Sequence, residues 1–259
     1  MRLVRFLAQD RSAYGILDND DIVELDGAGY ASLSSRRAVH RAAEVRLLAP
    51  CVPSKIVAVG LNYRDHAREL GMAVPENPVL FLKPPTAVIG PGDDIFYPAM
   101  SRQVDYEGEL GIVIRDRVSR IAVEDARKHI LGYTCANDVT ARDLQKQDGQ
   151  WTRAKGFDTF CPVGPWIETD LDPDDLAIET YLNGERRQSS RTSQFVFGVD
   201  RLVSFISQVM TLEPGDLIIT GTPAGIGPMK SGDEVEVRIE GVGSLKNRVS
   251  AEFGVRSAE

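Results

Sequence analysis

Cysteine is scarce in this chain of 259 residues: Cys51, Cys135 and Cys161 are the only three, an odd number with no CxxC pair. That excludes a disulfide framework and the usual cysteine metal motifs, and points to a reducing cytoplasm. Positive charge is also short, with 30 Lys and Arg against 38 Asp and Glu and a net charge of −8. The longest basic run is Arg36-Arg37, followed by His40 and Arg41. No stripe exists that would grip nucleic acid or an anionic membrane. No apolar run is long enough to cross a bilayer, and Met1 to Gln9 has two arginines but no apolar stretch of signal-peptide length. Low-complexity tracts, blocks of like charge and fixed-period repeats are missing too, which excludes a disordered chain or a solenoid.

What is present is core material. Hydrophobic residues make up 42%, enough for one large domain or a small one joined to a larger. Met1 to Leu7 alternates apolar and polar residues, and so does Tyr14 to Leu25 around an Asn19-Asp20-Asp21 turn; both are hairpin signals. A basic, helix-like segment, Ala38 to Leu47, leads to Pro50 and Pro53, which suggest a boundary: a β-rich module over 1–50 and a larger domain over 51–259. His40 and His129 fall on helix-like segments and are expected at the surface. Lys55 to Val59 reads as a buried strand, Arg64 to Leu70 as a short helix closed by Gly71, and the proline-punctuated 71–100 as short strands and loops. Two further helices are expected, Val123 to Ile130 with Gly132 as C-cap, and Asp200 to Met210. The second has Asp200 as N-cap and a face of Leu202, Phe205, Ile206 and Val209. Strands outnumber helices without βαβ alternation, so the expected class is α+β, β-rich, with a mostly antiparallel, rolled or barrel-like sheet.

The chemistry concentrates in Val104-Asp105-Tyr106-Glu107-Gly108-Glu109-Leu110-Gly111-Ile112-Val113. On a strand, Glu107 and Glu109 share a face with Cα atoms roughly 7 Å apart. Two carboxylates so placed repel unless a cation sits between them, and a hard divalent ion suits oxygen ligands. The apolar run Ile130 to Cys135 feeds Asn137-Asp138, which could bring a third carboxylate alongside. Three such ligands leave about three places on an octahedral Mg²⁺ for water or substrate. On spacing alone such a pair is more often a solvated face, which is how Glu234 and Glu236 read. Glu107 and Glu109 differ in entering an apolar strand and in flanking Gly108, which would let a ligand approach.

These residues resemble a known family. Gly60-Leu61-Asn62-Tyr63, His66 with Glu69, Phe81-Leu82-Lys83-Pro84 and Asp105 to Glu109 occur in order. They are followed by Asn137-Asp138-Val139-Thr140-Ala141-Arg142-Asp143-Leu144-Gln145, Lys155-Gly156-Phe157-Asp158 and Thr220 to Gly225. The set is similar to the fumarylacetoacetate hydrolase family over about residues 50–250. The resemblance implies a rolled mixed β-sheet or barrel with peripheral helices, a homodimer, and Mg²⁺ or Mn²⁺ held by Glu107, Glu109 and Asp138. It also implies a catalytic His66/Glu69 pair on a lid over about 64–80, with Arg142 and Gln145 facing the substrate. Lys155 would bind a substrate carboxylate or developing enolate, and Thr222 would hold the carboxylate through its hydroxyl and neighbouring backbone. The bland readings are surface cations for Arg142 and Lys155 and turn residues around Thr222. Arg153 is expected to be structural or solvated, Trp151 and Trp166 to pack, and Lys83 receives no role.

The implied substrate is a small anionic 2-oxo acid. Cleaving an acylpyruvate or decarboxylating oxaloacetate would leave its electrons as pyruvate enolate, stabilised by the ion and Lys155. The alternative within the family is a 2-hydroxyhepta-2,4-diene-1,7-dioate isomerase or 5-oxopent-3-ene-1,2,5-tricarboxylate decarboxylase of aromatic catabolism. Arg64 and Arg68 on the lid hint at a second substrate carboxylate. A non-catalytic metal or ligand binder on the same scaffold is the rival of another class. Gly221 to Gly227 is glycine-rich but wrongly spaced for a dinucleotide fold, and no βα unit surrounds it.

Overall fold

A computed structural model describes residues 1–27, 29, 30 and 36–251. Its backbone is organised by one large sheet of 12 strands. The main path runs Arg36–Arg41, Asp21–Leu25, Arg11–Asp18, Arg2–Ala8, Cys161–Glu168, Ile130–Asn137, Gly108–Ile114, Leu217–Ile219, Ile56–Gly60 and Val79–Lys83. Most pairs are antiparallel; Leu217–Ile219 runs parallel to Ile56–Gly60. The path has two ends, so among the described residues the sheet rolls without closing into a barrel. A five-stranded sheet (Glu185–Arg191, Ala177–Leu182, Glu234–Ile239, Gly243–Ser250, Asp94–Phe96) packs over it. A three-stranded one (Thr140–Ala141, Val104–Tyr106, Gly227–Met229) completes the roll.

The two central strands explain where the core lies. Gly108–Ile114 and Ile130–Asn137 are buried at every position, as expected for strands covered on both faces. Leu110, Ile112 and Ile114 pack with Leu202, Val203 and Ile206 of a helix and with Ile178 and Val237 of the five-stranded sheet. Val113, Leu131 and Ala136 point the other way, against Ile56, Ile167 and Ile219. The register pairs Gly108 with Asn137 and Glu109 with Ala136. The Asp138 N–H then donates to the Glu107 carbonyl at 2.8 Å. Strand register alone therefore sets Asp138 beside the glutamate pair.

The described residues of 1–50 form strands as expected, with the hairpin turn at Asn19 (φ 53°). Their small core of Val4, Phe6, Ala13 and Ile22 is separate, but Arg2 and Leu3 pair with Glu168 and Ile167, joining them to the main sheet. The helix-like reading of Ala38 to Leu47 does not hold. The segment is the strand Arg36–Arg41, a short 3₁₀ turn Ala42–Glu44 and the strand Arg46–Leu48. Pairing with Asp21–Leu25 decides it, and His40 packs its ring 5.1 Å from Phe6 while bonding Glu24 at 2.8 Å.

Val123–His129 is a 3₁₀ helix, and Gly132 is not its cap. Gly132 lies inside the strand Ile130–Asn137, where a Cβ would sit 2.4 Å from the Glu168 carbonyl oxygen. The last helix is Val199–Val209, with Gly198 at the cap position. Asp200 instead lies in the first turn and pairs with Arg127 at 2.9 Å. The buried face is Val199, Leu202, Val203 and Ile206, while Val209 is 59% exposed.

Candidate functional site

Glu107, Glu109 and Asp138 are all buried, and each offers a carboxylate oxygen within 4.8 Å of the others. Three cations face them. Lys83 donates to Asp138 Oδ1 at 2.6 Å. Lys155, at the end of the helix Thr152–Lys155, donates to Asp138 Oδ2 at 2.6 Å and to Glu107 Oε2 at 2.9 Å. Arg142, the first residue of the helix Arg142–Asp148, bonds Glu107 Oε1 through Nη2 and Asp105 Oδ2 through Nε at 2.8 Å.

The charge is unevenly shared. Burial would raise the Glu107 carboxyl, but Lys155 and Arg142 outweigh it and hold the group down at about 2. Glu109 moves the other way: burial, then Asp138 and Glu107, push it well above the usual carboxylate range. Its nearest donor is the Gly221 backbone N–H, at 2.7 Å to Oε2. That N–H reaches it because Gly221 adopts φ 93°, with Asn62 where a side chain would go. Each carboxylate oxygen has two lone pairs, so the lysines leave acceptor capacity on Asp138 and Glu107. A buried trio of oxygen ligands, one of which holds its proton more tightly than usual, fits a hard divalent ion such as Mg²⁺ or Mn²⁺.

The helix Arg64–Leu70 ends at Gly71 in the left-handed conformation, as expected. On it, His66 Nδ1 lies 2.8 Å from Glu69 Oε2. Glu69 Oε1 accepts from the Gly225 N–H at 3.0 Å, so the same carboxylate holds the imidazole and ties the helix to the 221–225 loop. Asp65 accepts from Ser190 at 2.5 Å and fastens the other side. His66, Arg142, Gln145, Lys155 and Thr222 line one cavity of about 290 Å³ with the carboxylate trio. Arg142 Nη1 donates to Gln145 Oε1 at 2.6 Å, which turns the Gln145 amide nitrogen away from the guanidinium. The Thr222 hydroxyl donates to the Gly108 carbonyl at 3.0 Å and accepts from Gln188 at 2.8 Å, so its proton is directed into the protein.

Several features lie outside the sequence reading. Lys83, given no role there, is fully buried against Asp138. Asp105 and Gln188 orient Arg142 and Thr222. Gly108 opens no path to a ligand: a Cβ there would sit 2.1 Å from Thr180 Oγ1, so close packing of the five-stranded sheet requires the glycine. Trp151 packs on Phe81 with ring centroids 5.0 Å apart and lines the cavity. Arg153 is solvated and paired with Asp148. Arg64 bonds the Ser193 carbonyl, and neither it nor Arg68 lines the cavity.

Residues 55–250 match the model of the fumarylacetoacetate (FAA) hydrolase C-terminal family, and residues 1–50 that described as Rv2993c-like, N-terminal. A mitochondrial oxaloacetate tautomerase of Bos taurus is 44% identical over 231 residues, covering 84% of this chain and 74% of its own. The crystal structure of 2-hydroxyhepta-2,4-diene-1,7-dioate isomerase from Mycobacterium marinum superposes with a TM-score of 0.90 at 47% identity, covering 98% of this chain and 99% of the other. That of maleylpyruvate hydrolase from Sphingobium sp. SYK-6, in complex with manganese(II) and pyruvate, gives 0.82 at 32% identity, covering 97% and 99%.

Proposed function

The chain belongs to the fumarylacetoacetate hydrolase family, and from that premise we propose that it is a divalent-metal-dependent enzyme of small 2-oxo acids, one that cleaves the carbon–carbon bond of acylpyruvates or decarboxylates oxaloacetate. The observation that carries this reading is one cavity lined by both the buried carboxylate trio and His66, whose Nδ1 is held by Glu69. The manganese and pyruvate held by the Sphingobium hydrolase support the same class of ion and acid.

Glu107, Glu109 and Asp138 would hold Mg²⁺ or Mn²⁺, which supplies Lewis-acid polarisation of the 2-oxo group. Lys155 uses two of its three N–H bonds on Glu107 and Asp138, leaving one to stabilise negative charge as it develops on a substrate oxygen. Glu69 occupies His66 Nδ1. Nε2 is then the nitrogen that exchanges a proton with water or substrate. The Gln145 amide nitrogen is the donor left to orient the bound acid, and Phe81 and Trp151 wall off water.

Keto–enol tautomerisation is a second reading, supported by the named activities of the bovine and M. marinum relatives. It needs only the proton exchange at His66. The test is pyruvate release from oxaloacetate, acetylpyruvate and fumarylpyruvate, each with Mg²⁺, with Mn²⁺ and with a chelator. Metal-dependent pyruvate from one of them is the expected result. No pyruvate, with accelerated decay of the oxaloacetate enol absorbance, selects tautomerisation. Neither signal overturns both readings.

A further inference from the structure

The cations lining the cavity differ in one respect. Lys155 is held by Glu107 and Asp138, Arg142 by Glu107 and Asp105, and His66 by Glu69. Lys146 also lines the cavity and is exposed, yet among the described residues no carboxylate forms an ion pair with it. It stands on the helix Arg142–Asp148, one turn beyond Arg142 and about 6 Å from it along the axis. Leu61, Met72, Phe81 and Trp151 supply an apolar, partly aromatic wall to the same cavity.

The lining therefore offers three chemistries. One end takes a cation and the 2-oxo carboxylate, the wall suits a carbon chain, and an unpaired ammonium remains. A neutral or short acid leaves that ammonium unused. We propose that Lys146 is a specificity-determining residue that receives the distal carboxylate of a 2-oxo diacid whose carbon chain lies along Phe81 and Trp151. This rests on the 2-oxo acid reading above and moves the diacid signal from Arg64 and Arg68, which face elsewhere, to Lys146. A partly shielded ammonium–carboxylate bond is stronger than a neutral one and depends on ionic strength.

The test measures binding to the Mn²⁺-loaded protein by calorimetry, with three unreactive probes. Oxalate reports the metal end. 2-Oxoadipate and 2-oxohexanoate share a chain length and differ only in a terminal carboxylate against a methyl group. The wild type is expected to prefer 2-oxoadipate by about tenfold, which is about 1.4 kcal/mol, and to lose part of that preference in high salt. Lys146→Met should bring the ratio to about one, Lys146→Arg should keep it, and Lys146→Glu should invert it. Oxalate binding with no diacid preference in the wild type, or a preference that survives Lys146→Met, overturns this inference alone. Mn²⁺ binding without affinity for any of the three acids overturns the 2-oxo acid reading, and this inference with it.

Discussion

Two Glu-x-Glu pairs lie on or at strands of this chain with identical spacing and opposite surroundings. Glu234 is exposed, and Glu236 is buried at 6% exposure rather than on the surface as the sequence suggested. Arg238 meets Glu236 with two bonds of 2.8 Å, and Ser244 and Lys246 add to it. Those Arg238 bonds, against burial, hold Glu236 at about 2. Among the described residues no cation pairs with Glu109, and burial, then Asp138 and Glu107, hold its proton more tightly than usual. The first arrangement is a finished structural ion pair; the second is a carboxylate cluster that could hold a metal ion. Spacing of the carboxylates is common to both, and the groups opposite them make the difference.

The largest contrast should come from neutralising one member of each pair. Glu109→Gln is expected to weaken Mn²⁺ binding at least about 100-fold, beyond the 10–100-fold typical of residues behind the ligands. Glu236→Gln should leave it within about twofold, both read by calorimetry. Next, His66→Ala should lower turnover by about 10²–10⁴-fold, the usual worth of a proton-transfer group, while Mn²⁺ affinity stays within about threefold. Loss of the ion along with activity would place His66 in holding the site rather than in proton transfer.

Lys83→Met probes the cations that face the trio. Removing one partner of a buried pair costs about 3–5 kcal/mol, and Lys155 still holds Asp138, so about 3 kcal/mol is expected in denaturant unfolding. Unchanged stability would make the Lys83–Asp138 contact energetically idle.

The smallest effect is a difference in pH dependence. Glu109 is raised in the folded, metal-free protein, so the folded state binds a proton that the unfolded chain releases. Stability from this group should therefore fall as pH rises from the ordinary carboxylate range through the raised value, and added Mn²⁺ should reverse the fall. Glu236 is depressed, so its contribution is present above the ordinary range and is lost as pH falls towards about 2. Melting curves of the Glu109→Gln and Glu236→Gln variants across pH separate the two signs.

Much of the site was legible because strand alternation and the ordered motifs put Glu107, Glu109 and Asp138 on one face, and register delivered that arrangement. Lys83 was not legible. A lysine before two prolines reads as a turn cation, although it closes the apolar strand Val79–Lys83, and that apolar run was the available signal. Gly108 was assigned to ligand approach when Thr180 of the strand Ala177–Leu182 occupies the space. Glu236 and the segment 38–47 were misjudged for the same reason: cross-strand partners such as Arg238 or Asp21–Leu25 become neighbours only through pairing, which local periodicity does not contain. The helix face failed at Val209 because packing extended to Val199 and Val203 instead.

The central claim is that this cavity stabilises negative charge on a 2-oxo acid next to a bound divalent ion. Hydrogen exchange at C3 of pyruvate in D₂O, followed by NMR with Mg²⁺-loaded protein, tests it whether the natural reaction is cleavage, decarboxylation or tautomerisation. The account predicts exchange that is faster than with Mg²⁺ alone, stops with chelator and is lost in Glu109→Gln. Exchange no faster than with free Mg²⁺, or equally fast in Glu109→Gln, would contradict it.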